Sequence, residues 1–212
     1  MTEREVKTAW ERHWEMGGSL EAAASPLGRN LRKQRLALMV QLLSKLDKTL
    51  SAIDMGCGNG STLSVLRSVG FSDSIGIEYT EMGIEAAEHN GFKRGLDIFQ
   101  MDAKATSFPD RHFGLVFSEG LWEHFSDPTP FMDEFIRISD KYIMVIQPDH
   151  FSLVGYLMKV GWELLNSEKG GVKEYSFKLE YFTKYLKERG FNLIEIRSTL
   201  FNEQSVMLFR RV

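Results

Sequence analysis

Apolar residues along this chain recur in two spacings, and the switch between them marks its elements. Helical spacing comes first: about Arg4 to Glu15 reads as one helix, and Leu31, Leu38, Leu42 and Leu46 put an apolar stripe on a second from about Asn30 to Leu46. Short apolar runs then take over, as in Ile53 to Met55 and Ser74-Ile-Gly-Ile-Glu78, and these read as buried strands. Helices separate the strands up to Gln147. Leu63, Leu66 and Val69 supply the stripe of one, and Phe131, Phe135 and Ile138 that of another. Strand-helix alternation of this kind predicts a doubly wound α/β fold, a parallel sheet with helices on both faces.

After Pro148 the alternation stops. Phe151 to Ser176 reads as an insertion, a lid or a buried helix, and a helix carrying Leu179, Phe182 and Leu186 follows and stops at Gly190. Two closing strands, near Phe191 to Arg197 and Gln204 to Arg210, are joined by a polar turn so short that they must be antiparallel. The expected organisation is one domain. It comprises N-terminal helices that act as a cover over 1–48, a ligand-binding core over 49–148, an insertion or lid over 149–177, and a closing helix and hairpin over 178–212.

The chemistry concentrates at Ile53-Asp-Met-Gly-Cys-Gly-Asn-Gly60, where a strand runs into three alternate glycines and then a helix. Glycine lets main-chain N–H groups approach a bound molecule. Glu78 ends the next strand, where sheets of this type place a ribose-binding acid. The spacing is Gly-x-Gly-x-Gly. It lacks the Gly-x-Gly-x-x-Gly of a dinucleotide site and the Gly-Lys-Ser/Thr of a triphosphate loop. Asp54 precedes the loop, so an anion would meet a carboxylate while an ammonium or sulfonium would be attracted. That favours S-adenosylmethionine over a nucleotide phosphate.

With these residues the chain resembles the class I S-adenosylmethionine-dependent methyltransferases, the broad family that includes the ubiquinone/menaquinone-biosynthesis enzymes. The resemblance runs from about Leu50 to Pro148 and adds Gln100-Met-Asp102-Ala103 to the two motifs above. It also takes in Phe113-Gly-Leu-Val-Phe-Ser-Glu-Gly-Leu-Trp-Glu-His124 and Lys141 to Pro148, the ends of a third, fourth and fifth strand. It implies a Rossmann-like, seven-stranded, mostly parallel sheet with an antiparallel C-terminal strand. It implies that Asp54 and the loop of Gly56, Cys57, Gly58 and Gly60 hold the methionine part and Glu78 the ribose. Tyr79 would lie on the adenine face, Asp102 and the Ala103 N–H at the adenine edge, and Ser118 among the cofactor contacts. S-adenosylhomocysteine would be the product.

Composition narrows the setting. A chain of 212 residues with 43% hydrophobic content can bury a full core. A formal charge of -3 carries no nucleic-acid footprint, and no apolar stretch is long enough to span a bilayer. Cys57 is the only cysteine and reads as a packing residue, so no internal disulfide forms and a reducing cytoplasm is expected. The charged start, Met-Thr-Glu-Arg-Glu-Val-Lys, does not read as a secretory signal. The sequence carries no signal for an oligomeric state.

Methyl transfer from a sulfonium needs positioning above all, but a hydroxyl, phenol or acidic carbon acceptor would gain from a general base. The candidates are Glu119, Glu123, His124 and His150, on loops after strands four and five; His124 is favoured, with Glu119 beside it. Relatives that bind a divalent ion resemble Glu-x-x-Glu-His. Gly120 stands here at the first of those positions with Glu119 displaced by one, so no metal is expected. Trp10, Trp14, Phe151, Tyr156, Leu157, Met158, Trp162 and Phe177 form an aromatic-rich collection suited to a small apolar acceptor. Trp14, Trp122, His150 and Tyr156 are the substrate candidates. The Arg29, Arg32, Lys33, Arg35 cluster reads as a solvated helix face. Ser118-Glu-Gly-Leu121 does not resemble the Asp/Asn-Pro-Pro-Tyr/Phe sequence of enzymes that methylate exocyclic amines in DNA or glutamine side chains. Methylation of protein or RNA, or non-catalytic cofactor binding, are the competing readings.

Overall fold

The structure, a computed structural model, describes residues 3–15, 26–167 and 172–212. Two helices, α1 (Glu3–Glu15) and α2 (Pro26–Leu43), precede the alternating core. The core runs β1 (Ala52–Met55), α3 (Ser61–Ser68), β2 (Ser74–Glu78), α4 (Glu81–His89), β3 (Ile98–Gln100), β4 (Phe113–Glu119), a short 3-10 turn Trp122–His124, α5 (Thr129–Ile138) and β5 (Ser139–Pro148). Then come α6 (Leu153–Ser167), α7 (Leu179–Lys187), β6 (Phe191–Ser198) and β7 (Gln204–Arg211). The sheet order is β3-β2-β1-β4-β5-β7-β6. The strands from β3 to β5 pair in parallel, and β7 lies antiparallel to both β5 and β6.

Period-2 alternation along the strands builds a core on each face. Ala52, Leu115, Phe117, Met144 and Leu208 face one way and meet Met39, Leu42, Leu63, Leu66 and Ile84 of α2, α3 and α4. Ile53, Met55, Val116, Val145, Met207 and Phe209 face the other way and meet Phe131, Phe135 and Ile138 of α5 with Phe182 and Leu186 of α7. Chain order reverses between β1 and β4: β2 and β3 lie to one side of β1, β4 and β5 to the other. Carboxyl-end loops part at such a switch point and leave a crevice.

Two boundaries differ from the sequence reading. α2 starts at Pro26, whose fixed φ and missing N–H suit a first helical position, and ends at Leu43, so the buried Leu46 packs from the following turn. Part of the expected insertion is the fifteen-residue helix α6. It is not a buried helix: Leu153, Tyr156, Leu157 and Leu164 are exposed. Parts of the expected covers at 16–25 and 168–171, and the side chain of Trp162, lie outside what is described.

Candidate active site

The crevice begins where β1 ends. Gly56, Gly58 and Gly60 have φ of 79°, 51° and 76°, a left-handed backbone that a side chain would strain. Space forbids one as well. A Cβ on Gly58 would come within 2.4 Å of the Trp14 ring, and one on Gly60 within 2.3 Å of Phe92. The Gly58 amide donates to Oε2 of Glu78 at 3.1 Å, while Oε1 accepts from the Thr80 N–H at 2.8 Å and its hydroxyl at 2.6 Å. These bonds aim the buried Glu78 carboxylate across the loop. Burial pushes its pKa upward, partly offset by the hydrogen bonds from Thr80 and Gly58.

Asp54 is buried and its Oδ2 has no hydrogen-bond partner. Burial first, then the charges of Glu119 and Glu78, hold its carboxyl well above the usual range. Three acids converging at the glycine loop create a field that a cation would relieve. Asp54 itself does not border the open space; Gly56, Cys57 and Gly58 just after it do.

That space is a cavity of about 390 Å³. Its wall takes in the glycine loop, Glu78, Tyr79, Asp102 and Ala103 together with Glu119, Gly120, His124 and His150. α1 closes it from above. Trp14 lies on Gly58, the Trp10 ring meets His124 edge-on at 4.8 Å, and the Lys7 ammonium sits 5.1 Å from the Tyr79 ring centroid.

The match to known proteins follows this geometry. The family model described as a methyltransferase domain covers residues 28–196. The chain belongs to that family. It is a class I methyltransferase that uses S-adenosylmethionine, and the glycine loop that borders the cavity, with the charges of Asp54, Glu78 and Glu119 around it, fits a sulfonium-bearing ligand. Among solved structures it is similar to an S-adenosylmethionine-dependent methyltransferase of Thermotoga maritima, with TM-score 0.69 and 16% identity over 96% of this chain and 100% of the other. It is also similar to the magnesium protoporphyrin IX methyltransferase of Synechocystis PCC 6803, solved with bound S-adenosylhomocysteine (TM-score 0.67, 15% identity, 97% and 95% covered). A third is the methyltransferase in a complex with the Haloferax volcanii Trm112 activator (TM-score 0.68, 13% identity, 95% and 97% covered). No curated protein matches the chain.

Not every residue singled out in the sequence reaches the methyltransferase cavity. Trp122 is fully buried between Phe135 and Phe182, with ring centroids 5.2 Å away on each side. The 3-10 turn that carries it sends Trp122 into the core and His124 into the cavity. Tyr156 is 57% exposed and faces outward. On α6 the cavity side belongs to Gly155, Met158 and Lys159, and a residue one step along a helix points about 100° away. Phe151 and Leu157 are exposed too, and Phe177 packs on Tyr181 and Phe182. Ser118 is buried and donates to the Met55 carbonyl at 2.8 Å, a brace between β4 and β1. Gly60 turns its α-carbon to Phe92, behind the loop.

The acceptor end is more heavily bonded than the sequence suggests. Glu119 is held by the Arg35 guanidinium at 2.5 Å and the Thr62 hydroxyl at 3.0 Å, and Arg35 also donates to Gln204 at 2.7 Å. Arg35 and Arg32 therefore line the cavity rather than a solvated helix face. Burial, reinforced by Glu174 and Glu119, raises Glu123 to about 8, so it is protonated at neutral pH. Burial lowers His124. The two side chains, 3.9 Å apart, are thus neutral neighbours rather than an ion pair. His124 Nδ1 lies 3.3 Å from the Lys173 carbonyl, and the Tyr175 amide donates to the Glu123 carbonyl at 2.6 Å, which straps residues 173–175 across the turn. His150 and Glu174 meet at 3.0 Å. Gly120 has φ 70°, so the position that metal-binding relatives fill with glutamate is held here by a backbone that strains other residues. Trp10, one of the aromatic residues named in the sequence, lines the cavity, whereas Glu174 carries no local signal in the sequence.

Proposed function

We propose that the protein transfers the methyl group of S-adenosylmethionine to a small, largely apolar or aromatic molecule. The observation that carries this reading is the cavity. It runs from the glycine loop to the His124 and His150 wall, and Trp10, Trp14 and Met158 cover it. One cavity that joins the cofactor loop to His124 and His150 has room for a small molecule in line with the sulfonium, which supports positioning as the main source of rate.

In this reading the backbone of Gly56, Cys57 and Gly58 faces the methionine part of the cofactor, and Asp54 acts on it through its charge from behind the loop. Glu78 has about four acceptor positions, of which Gly58 and Thr80 use three, and a ribose hydroxyl would take another. Tyr79 covers the adenine, with Asp102 and Ala103 at its edge. Ser118, Gly60 and Trp122 support the site from behind. The cell setting proposed is a reducing cytoplasm, which suits the single buried Cys57; among the described residues no helix is long and apolar enough to cross a membrane. The test is incubation of the protein with methyl-labelled S-adenosylmethionine and fractionated small-molecule extract, followed by mass spectrometry. Label in a low-mass aromatic product is expected. Label confined to protein or RNA fractions would overturn the small-molecule reading and leave the cofactor assignment standing.

A further inference from the structure

The two cavity histidines are held in different ways. His124 is tied to its own turn and to main chain: Nδ1 lies 3.3 Å from the Lys173 carbonyl, and Nε2 lies 3.9 Å from Oε1 of Glu123. The Trp10 ring packs against the imidazole nearly perpendicular, with centroids 4.8 Å apart. His150, just after β5, instead presents Nε2 to Oε2 of Glu174 at 3.0 Å, with side chains only 3% and 17% exposed. A carboxylate accepts only, so in the neutral imidazole a hydrogen on Nε2 faces Glu174 and leaves the lone pair on Nδ1. Among the described residues Nδ1 has no hydrogen-bond partner. The Glu174 carboxyl lies below its usual range: burial would raise it, but the hydrogen bond from His150 and the nearby His124 and Lys159 outweigh that. Both groups line the cavity.

We propose that His150, oriented by Glu174, is the proton acceptor of the methyl-transfer step, and that the methyl acceptor is therefore a hydroxyl compound, with a phenol the best fit to the Trp10 and Met158 walls. This rests on the methyltransfer reading of the same site. Thiols and carboxylic acids reach neutral pH wholly or partly ionised, and an amine can shed its proton to water after transfer. A phenol or alcohol gains most from losing its proton as it attacks. The hydroxyl oxygen forms the new O–CH3 bond, the C–S bond breaks with its electron pair going to sulfur, and the hydroxyl proton moves to Nδ1 of His150. Positive charge passes from the sulfonium to an imidazolium facing the Glu174 carboxylate, and the proton then leaves to solvent. Glu174 is the positioning residue: it fixes tautomer and ring orientation and touches no reacting atom.

The experiment uses a panel of hydroxylated aromatic compounds and the matching anilines, with methyl-labelled S-adenosylmethionine and wild type, His150→Gln, His124→Gln and Glu174→Gln. Calorimetric binding of S-adenosylmethionine and the reverse methylation of S-adenosylhomocysteine by methyl iodide, which needs no base, report on the cofactor site separately. Methylation of phenols is expected, with kcat lowered ~100-fold or more in His150→Gln and less in His124→Gln. In Glu174→Gln kcat should fall while KM holds within about twofold, as for loss of an interaction made only in the transition state. With a nitro-substituted phenol already ionised at the assay pH, the His150 and Glu174 losses should shrink to roughly threefold or less, because no proton then has to move. A merely structural role would depress both phenols alike, and that result overturns the proposal. So does methylation of anilines alone, of none of the panel while methyl iodide still regenerates S-adenosylmethionine, or a loss confined to His124→Gln. Absence of both cofactor binding and the methyl iodide reaction would remove the methyltransfer reading itself, and this inference with it.

Discussion

At the scale of single residues, the site stores unfavourable charge that a ligand relieves. Asp54 holds a raised pKa through burial and the charges of Glu119 and Glu78, and a cation near it favours the carboxylate form. Binding of S-adenosylmethionine should therefore release protons, and affinity should rise with pH over the range where free Asp54 is still protonated. S-adenosylhomocysteine, which lacks the sulfonium charge, should release fewer. Calorimetry in buffers of different ionisation enthalpy reads this directly, and equal proton release for both ligands, or none, would contradict it. Glu123 gives a stability counterpart. Its folded value of about 8 stands above the ordinary 4.5, so its contribution is fully present below about 4.5 and is lost as pH rises through about 8. Glu123→Gln keeps the shape of the neutral acid without its titration. The mutant and wild type should melt within ~1 °C of each other near pH 4, and the mutant should be the more stable by a few kcal/mol at most near pH 9. A gap that stays constant between those pH values would mean that Glu123 is not a buried neutral acid.

Among the elements, α1 connects cover to chemistry. Val6 and Ala9 are buried, Trp14 lies on Gly58 and Trp10 against His124, yet α1 joins no sheet and meets the core chiefly through α4 and the cavity rim. An element with so few core contacts sits at the low end of local stability. Its amides should exchange readily in the free protein and gain protection with S-adenosylmethionine, and Trp14→Ala should speed cofactor release. Core-like protection of α1 without ligand would make it a fixed wall instead. The alternation was readable because β1, β2 and β4 are buried on both faces and the core helices carry stripes, so burial wrote itself into the local pattern. The glycine loop was readable for a related reason: its φ values and its contacts with Trp14 and Phe92 admit only glycine. Trp122 and Tyr156 were misplaced because a three-residue turn and an exposed apolar helix leave no period to read. The Arg35–Glu119 and His150–Glu174 pairs join groups 84 and 24 residues apart in sequence (119 − 35 and 174 − 150), and no local spacing encodes such contacts.

For the whole molecule, the switch point between β1 and β4 makes ligand binding and folding one problem. β1 carries Asp54 into the glycine loop, β2 carries Glu78, and β4 carries Glu119, so three acids from three strands meet only when the sheet is assembled. A cationic ligand at this point binds the folded chain and has no comparable site in the unfolded one, so it must raise the melting temperature by mass action. At about 100 times its dissociation constant, S-adenosylmethionine should stabilise the protein by about 2.7 kcal/mol. For a chain of this size each kcal/mol is worth roughly 2–4 °C, which gives a rise of about 5–10 °C. NAD should give almost none, because its pyrophosphate would meet the field of Asp54, Glu78 and Glu119 and the loop lacks dinucleotide spacing. Scanning calorimetry with each ligand at matched concentration checks this. Equal protection by NAD would mean that the loop reads the adenosine alone, and that the converging acids, the feature on which sheet, loop and cavity all bear, do not select the methyl donor.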